Sequence, residues 1–200
     1  MVVMTDLIVQ DALSAAERAT IVAALVPEVF NVIPQDFATH CVFSAHVVAT
    51  ALTHLDVSVR IIPCQIMCGT GDRSYIVGFV GAPPEVGKWD GHVVVRTGNQ
   101  LIDCATRLFR KSFGLDLPSV VATECLMMPS NLIARATIGQ ARIGWLVPPP
   151  DCDTTPPPPP QDMVELYSIQ LAKRVRAKLD AILTHGIGPH NPPGLKSAPS

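Results

Sequence analysis

The spacing of hydrophobic positions changes rhythm twice along the chain. Through about residue 55 apolar residues recur at helical intervals. Ser14-Ala15-Ala16-Glu17 forms a capping-box pattern, and the apolar-rich run behind it predicts a helix to about Phe30. Pro34 breaks that run. A second helix is expected over 39–55, where Ala45, Val48, Leu52 and Leu55 make one stripe and Cys41 falls on the same stripe. Asp36 or Thr39 can cap it.

Beyond residue 56 the pattern shortens to runs rich in Val and Ile. Segments 57–67, 75–80, 92–96 and 100–104 read as strands, with 120–126 and 143–147 as shorter ones. Segment 134–141 fits either state. Gly69-Thr70-Gly71-Asp72 and Thr97-Gly98-Asn99 mark turns, and Ala82-Pro83-Pro84-Glu85 a loop. The rhythm changes again at the prolines of 148–160, which predict an exposed polyproline II connector. A last helix is expected over 162–183, with Met163, Leu166, Ile169, Val175, Leu179 and Ile182 on its apolar face. The tail 185–200 is rich in Gly, Pro and Ser and should fray.

The expected organisation is therefore an α+β domain over 1–150 and a proline-rich connector over 151–161. A helix over 162–184 then packs on the domain or on a partner subunit, followed by the tail over 185–200. The chain has 200 residues, enough for one sizeable core. Hydrophobic residues make up 48% and charged residues 16%, which excludes general disorder. The net charge of −2 and the lack of a basic stripe or finger-type spacing argue against nucleic acid as a partner. The N-terminal stretch has no basic region followed by a continuous apolar run, and no apolar stretch reaches a bilayer span. A cytoplasmic protein is the expectation, with its six cysteines reduced.

Three residues then stand out in order. Cys41 opens a helix, where the positive end of the dipole favours thiolate. His92 opens a strand, and Asp103 ends the next one. Each has a plainer reading when taken singly: a core thiol, a strand histidine, a carboxylate capping a turn. The hairpin links them. If Gly98-Asn99 is a two-residue loop, His92 and Asp103 project from one face as diagonal neighbours; a three-residue loop puts them on opposite faces. On one face, Asp103 can fix the imidazole tautomer and leave the other ring nitrogen to take the thiol proton. Gln35, six residues before Cys41, can donate to an oxyanion beside the Cys41 N–H. Trp89 and His40 are candidate cleft-lining residues, with core packing and a surface histidine as the plainer readings.

Gln35-x5-Cys41, then Gly91-His92-Val93-Val94-Val95, then Leu101-Ile102-Asp103-Cys104-Ala105-Thr106 resembles the Cys–His–Asp core of the papain-like superfamily. The last segment is most similar to transglutaminase-like and arylamine acetyltransferase-like members. There, a strand histidine precedes a strand ending in Asp, often with a small residue and Thr soon after. The resemblance covers about 31–109 and rests on order and spacing. It implies a papain-like or transglutaminase-like fold of a bacterial branch, with N-terminal helices, an antiparallel sheet and a C-terminal helix. It also implies a thiol-dependent hydrolase or acyltransferase acting on a peptide or a small amide or ester, with no cofactor. The Thr39-His40-Cys41-Val42-Phe43 surroundings differ from the usual Cys-Trp or Cys-Gly-x-Cys, so substrate class stays open.

Two further readings compete. A non-catalytic interaction module can keep the same fold, with the last helix exchanged between two copies as a homodimer. A metal site on Cys64 and Cys68 is disfavoured, because both sit on one strand face two pleats apart and no second Cys/His pair matches them. Lys173, Arg174, Arg176 and Lys178 read as a solvated face or as a match to the helix dipole.

Overall fold

The computed structural model describes residues 13–34, 40–80, 89–127 and 131–185. These residues form a mixed α+β unit in which a nearly closed antiparallel sheet carries helices on one outer side. Helix α1 spans Ala15–Val29, and the Ser14 capping box is formed: the Glu17 N–H donates to Ser14 Oγ at 3.2 Å, and the Ser14 N–H donates to Glu17 Oε2 at 2.9 Å. A single 3-10 turn, Phe30–Val32, follows. Helix α2 spans Cys41–Thr53, with His40 at its N-cap making no side-chain capping bond. The expected caps Asp36 and Thr39 lie outside the described residues, as do Gln35, the loop Ala82–Glu85 and the tail from 186.

Strand β1 is Arg60–Thr70 and β2 is Arg73–Val77. Then come β3 (His92–Thr97), β4 (Gln100–Asp103), helix α3 (Arg107–Phe113), β5 (Val121–Glu124), β6 (Leu132–Ile138) and β7 (Ala141–Leu146). Helix α4 spans Gln161–His185. The strand order is β5-β4-β3-β1-β7-β6, with β2 beside β1, and a bridge from Cys125 to Ala134 brings β5 to β6. The long β1 makes this possible. Its first half pairs with β3, while its second half lies between β2 and β7.

Two cores result. One fills the barrel with Cys64, Ile66, Cys68, Val94, Leu101, Phe109, Ile143 and Trp145. The other lies between the sheet and helices α1, α2 and α4, and takes Val93, Val95 and Ile102 from the sheet. Strand β3 therefore has both faces covered. That is why His92-Val93-Val94-Val95 reads as an unbroken buried run rather than an alternation.

Three expectations need correction. The buried stripe of α4 is Val164, Ser168, Leu171 and Val175, a run of helical period, whereas Leu166 and Ile169 face outward at 54% and 39% exposure. Its basic residues Lys173, Arg174, Arg176 and Lys178 are exposed, as expected of a solvated face, but three of the four also bond to neighbouring elements. Lys178 pairs with Glu28, Arg174 donates to Asn31 Oδ1 at 2.7 Å, and Arg176 donates to the His54 carbonyl at 3.5 Å. The helix thus packs on its own domain. The connector is mostly exposed as expected, but Pro159 is buried. Two elements were not foreseen: the short helix α3, and a strand in the segment that fitted either state.

Candidate active site

The β3–β4 turn has the register that places the two polar side chains together. Thr97 pairs with Gln100, Arg96 with Leu101 and Val95 with Ile102, so Gly98-Asn99 is a two-residue loop. Gly98 has φ +53°, the positive value a type II′ turn requires at its first position. Continuing that register puts His92 and Asp103 on the barrel face. There His92 Nε2 lies 3.1 Å from both carboxylate oxygens. Both side chains are buried, at 1% and 0% exposure, so neither can rely on water for a partner.

Asp103 is fully satisfied by other groups as well. The Trp145 indole N–H donates to Oδ2 at 2.8 Å, and the Ala105 N–H donates to Oδ1 at 3.0 Å. The second bond is an Asx-type turn, so Asp103 does cap its loop end, and it faces His92 at the same time. Thr106 is a tether: its hydroxyl donates to the Pro118 carbonyl at 2.5 Å.

Cys41 is the first residue of α2, and the helix packs along β3 so that its start meets the start of the strand. The thiol is half-buried, with Sγ 3.9 Å from the Gly91 carbonyl oxygen. The His92 ring and the Val93 N–H are close enough to act on the thiol and favour its charged form. Because Nε2 is taken by Asp103, Nδ1 is the ring atom left for the thiol proton.

The electrostatics follow from these contacts. Burial opposes a charged imidazole, but the Asp103 carboxylate and its hydrogen bond override it and push His92 up to about 10. Burial also opposes a charged Asp103, yet the His92 charge and bond, Trp145 and the Ala105 amide hold it below its ordinary value. For Cys41, burial favours the neutral thiol; the bond and charge of His92, with the Val93 N–H, outweigh it and lower the thiol. Cys64, Cys68, Cys104 and Cys125 go the other way, each raised first by burial, Cys68 to about 11. The arrangement can therefore hold a thiolate at Cys41 beside a protonated His92, which is a nucleophile with a proton donor.

Trp89 sits at the rim. Its ring packs edge-on to Phe79 at 5.7 Å, and its indole N–H donates to the Asp153 carbonyl at 3.0 Å, tying the proline-rich connector to the site. Gly78 and Phe79 both take positive φ, +78° and +52°, and this turns the chain so that the Phe79 ring lies over Gly91. A Cβ on Gly91 would meet Trp89 Cζ2 at 2.2 Å and Phe79 Cζ at 2.6 Å, so only glycine fits beside the thiol. His40 is exposed at the helix N-cap next to Cys41. Cys64 and Cys68 point into the barrel, and among the described residues no three His, Cys, Asp or Glu side chains gather as a metal site.

Trp145 and Phe79 were not identified from the sequence, and Gly91 was read there only as part of the motif with His92. The available signal for Trp145 was general: a buried indole needs an acceptor, and Asp103 is a buried acceptor. No family model, curated protein or solved structure matches this chain. No helix among the described residues is long and apolar enough to cross a membrane.

Proposed function

We propose that the protein is a thiol-dependent hydrolase or acyltransferase that acts on an amide or ester bond through Cys41, His92 and Asp103. One observation carries this reading. His92 is hydrogen-bonded to Asp103 and acts on Cys41, the first residue of a helix, and of the cysteines shifted from their ordinary value Cys41 alone is lowered. In this reading the fold is a papain-like or transglutaminase-like variant, supported by the order of the three groups and by the antiparallel sheet beside the Cys41 helix.

The Cys41 thiolate attacks the carbonyl carbon and forms a C–S bond. The carbonyl electron pair moves to oxygen, where the Cys41 N–H at the helix start and the Gln35 amide are the proposed donors. The tetrahedral intermediate collapses, the bond to nitrogen or oxygen breaks, and His92 Nδ1–H protonates the leaving group. Water, or an amine in the transferase case, then attacks the thioester while His92 takes its proton. Asp103 stays ionised throughout and stabilises the imidazolium.

Iodoacetamide at near-neutral pH tests the assignment. Wild type and Cys64→Ala should be labelled and Cys41→Ala should not; equal labelling of all three rejects it. A second reading, a non-catalytic interaction module, draws on the exposed Leu166 and Ile169, three residues apart on the outer side of α4. A concentration-dependent dimer that Leu166→Ser dissociates, in a protein whose Cys41 resists labelling, would favour it.

A further inference from the structure

The helices cover only one side of the sheet. On the other outer side β1, β2, β6 and β7 form a face that no described helix covers and that the thiol site does not use. The pairing register defines it. Met67 lies opposite Ile76 on β2 and Gly144 on β7, and Gly144 lies opposite Arg135 on β6. Gly69 and Arg142 occupy the next outward pair. Met67 and Ile76 are 46% and 54% exposed. Beside them is a cavity of about 720 Å³ whose charged lining is Arg73, Arg135, Arg142 and Asp72.

On the outer face the guanidinium groups of Arg135 and Arg142 stand near one carboxylate, Asp72 at the turn; Arg73 also lines the cavity, but it pairs with Thr70 and belongs to the inward set with Tyr75. Arg142 donates one bond to the Gly71 carbonyl at 3.2 Å, and among the described residues no carboxylate pairs with Arg135 or Arg142. The outer positions of this face combine exposed aliphatic side chains with cations. Among the described residues no aromatic side chain lines the cavity to give a platform on which bases can stack. Planar forks close to an aliphatic surface match carboxylates that alternate with apolar residues on an extended chain.

We propose that this face is a binding site for an acidic, extended peptide segment of a protein partner. Its carboxylates pair with Arg135 and Arg142, and its apolar side chains lie on Met67 and Ile76. The site is built on different residues from the thiol centre and does not depend on its chemistry. Gly69 stands five residues beyond Cys64, the residue paired with His92, or about 16 Å along the strand.

Fluorescence anisotropy tests this with a dye-labelled hexapeptide alternating glutamate and leucine. Wild type and Cys41→Ala should bind it equally, and binding should weaken as salt screens the charges. The double variant Arg135→Gln/Arg142→Gln, checked for an unchanged melting curve, should bind about tenfold more weakly, as the loss of two exposed charge pairs implies. A peptide alternating lysine and leucine should not bind. Equal affinity of wild type and the double variant overturns the proposal, as does equal binding of the lysine peptide. Displacement of the acidic peptide by a single-stranded oligodeoxynucleotide at lower concentration, or by inorganic phosphate at equal concentration, overturns the peptide assignment.

Discussion

The Trp145 indole N–H reaches Asp103 Oδ2 at 2.8 Å from a strand on the other side of the barrel. Asp103 is held from two directions at once, by the His92 ring and by a wall of the core. Removing the indole donor while keeping an aromatic ring separates these roles. Trp145→Phe should destabilise the fold by about 1.5–3 kcal/mol, the range for a hydrogen bond to a charged group. It should also let Asp103 rise toward its ordinary value, lower His92, and slow Cys41 alkylation at pH 7. Denaturant unfolding and the pH profile of alkylation measure the two effects.

Asp103→Asn keeps the volume and removes the charge. Burial then dominates at His92, which should fall from about 10 to below its ordinary 6.5. Without an imidazolium beside it, Cys41 should rise. Alkylation at pH 6.5 should drop by tenfold or more, since each unit of thiol shift below the plateau is a factor of about ten in thiolate. The loss of stability should stay at or below about 3 kcal/mol, because His92 can shed its proton instead of remaining an unpaired buried charge.

Stability should depend on pH through the same pair. Asp103 is lowered in the fold, so its contribution is present above its ordinary 3.8 and is lost as pH falls through the lower folded value. His92 is raised from 6.5 to about 10, so its contribution is complete below 6.5 and fades as pH rises toward 10. In Cys41→Ala, which removes the opposing thiol titration, unfolding free energy should fall between pH 6.5 and 10. A flat profile there would show that His92 is neutral in the fold.

How far these residues could be read in advance depended on sequence distance. Gly98-Asn99 is local, and its loop length alone dictates the β3–β4 register, so the His92–Asp103 relationship followed from four consecutive residues and a pairing rule. Trp145 is 42 residues from Asp103, and their contact exists only because the sheet curls nearly closed. No local pattern encodes that closure. Helix α3 escaped notice because it has seven residues and buries only Phe109, too little for a periodic stripe. On α4 the apolar residues were legible but their face was not. Leu166 and Ile169 are as hydrophobic as the buried Val164 and Leu171, and only packing against α1 and α2 distinguishes them.

That distinction predicts unequal effects on the α4 interface. Leu171→Ala and Val175→Ala delete fully buried atoms and leave cavities; Leu171→Ala should cost about 2–5 kcal/mol and Val175→Ala somewhat less. Lys178→Ala removes an ion pair whose partners are roughly half exposed and should cost about 1 kcal/mol or less. Thermal melts of the three variants would order them. A latch variant as damaging as Leu171→Ala would mean that charge, not burial, holds the helix.

Gly91→Ala tests the rim. The added methyl must displace the Trp89 and Phe79 rings, at a cost of about 1–3 kcal/mol for overpacking. Displacing Trp89 should also loosen its bond to the Asp153 carbonyl. Trp145 is fully buried, so a gain in acrylamide quenching of tryptophan emission would report on Trp89.

Strand β3 is interior to the sheet, with β4 on one edge, β1 on the other, helices against one face and the barrel filling against the other. Its amide protons should therefore exchange only through opening of the whole domain. His92 is paired to β1 at Cys64 and bonded to Asp103 on β4, so its release requires these strands to part. On heating, thiol reactivity and tertiary structure should disappear on the same curve, so that the protein has no folded state in which the base is out of place.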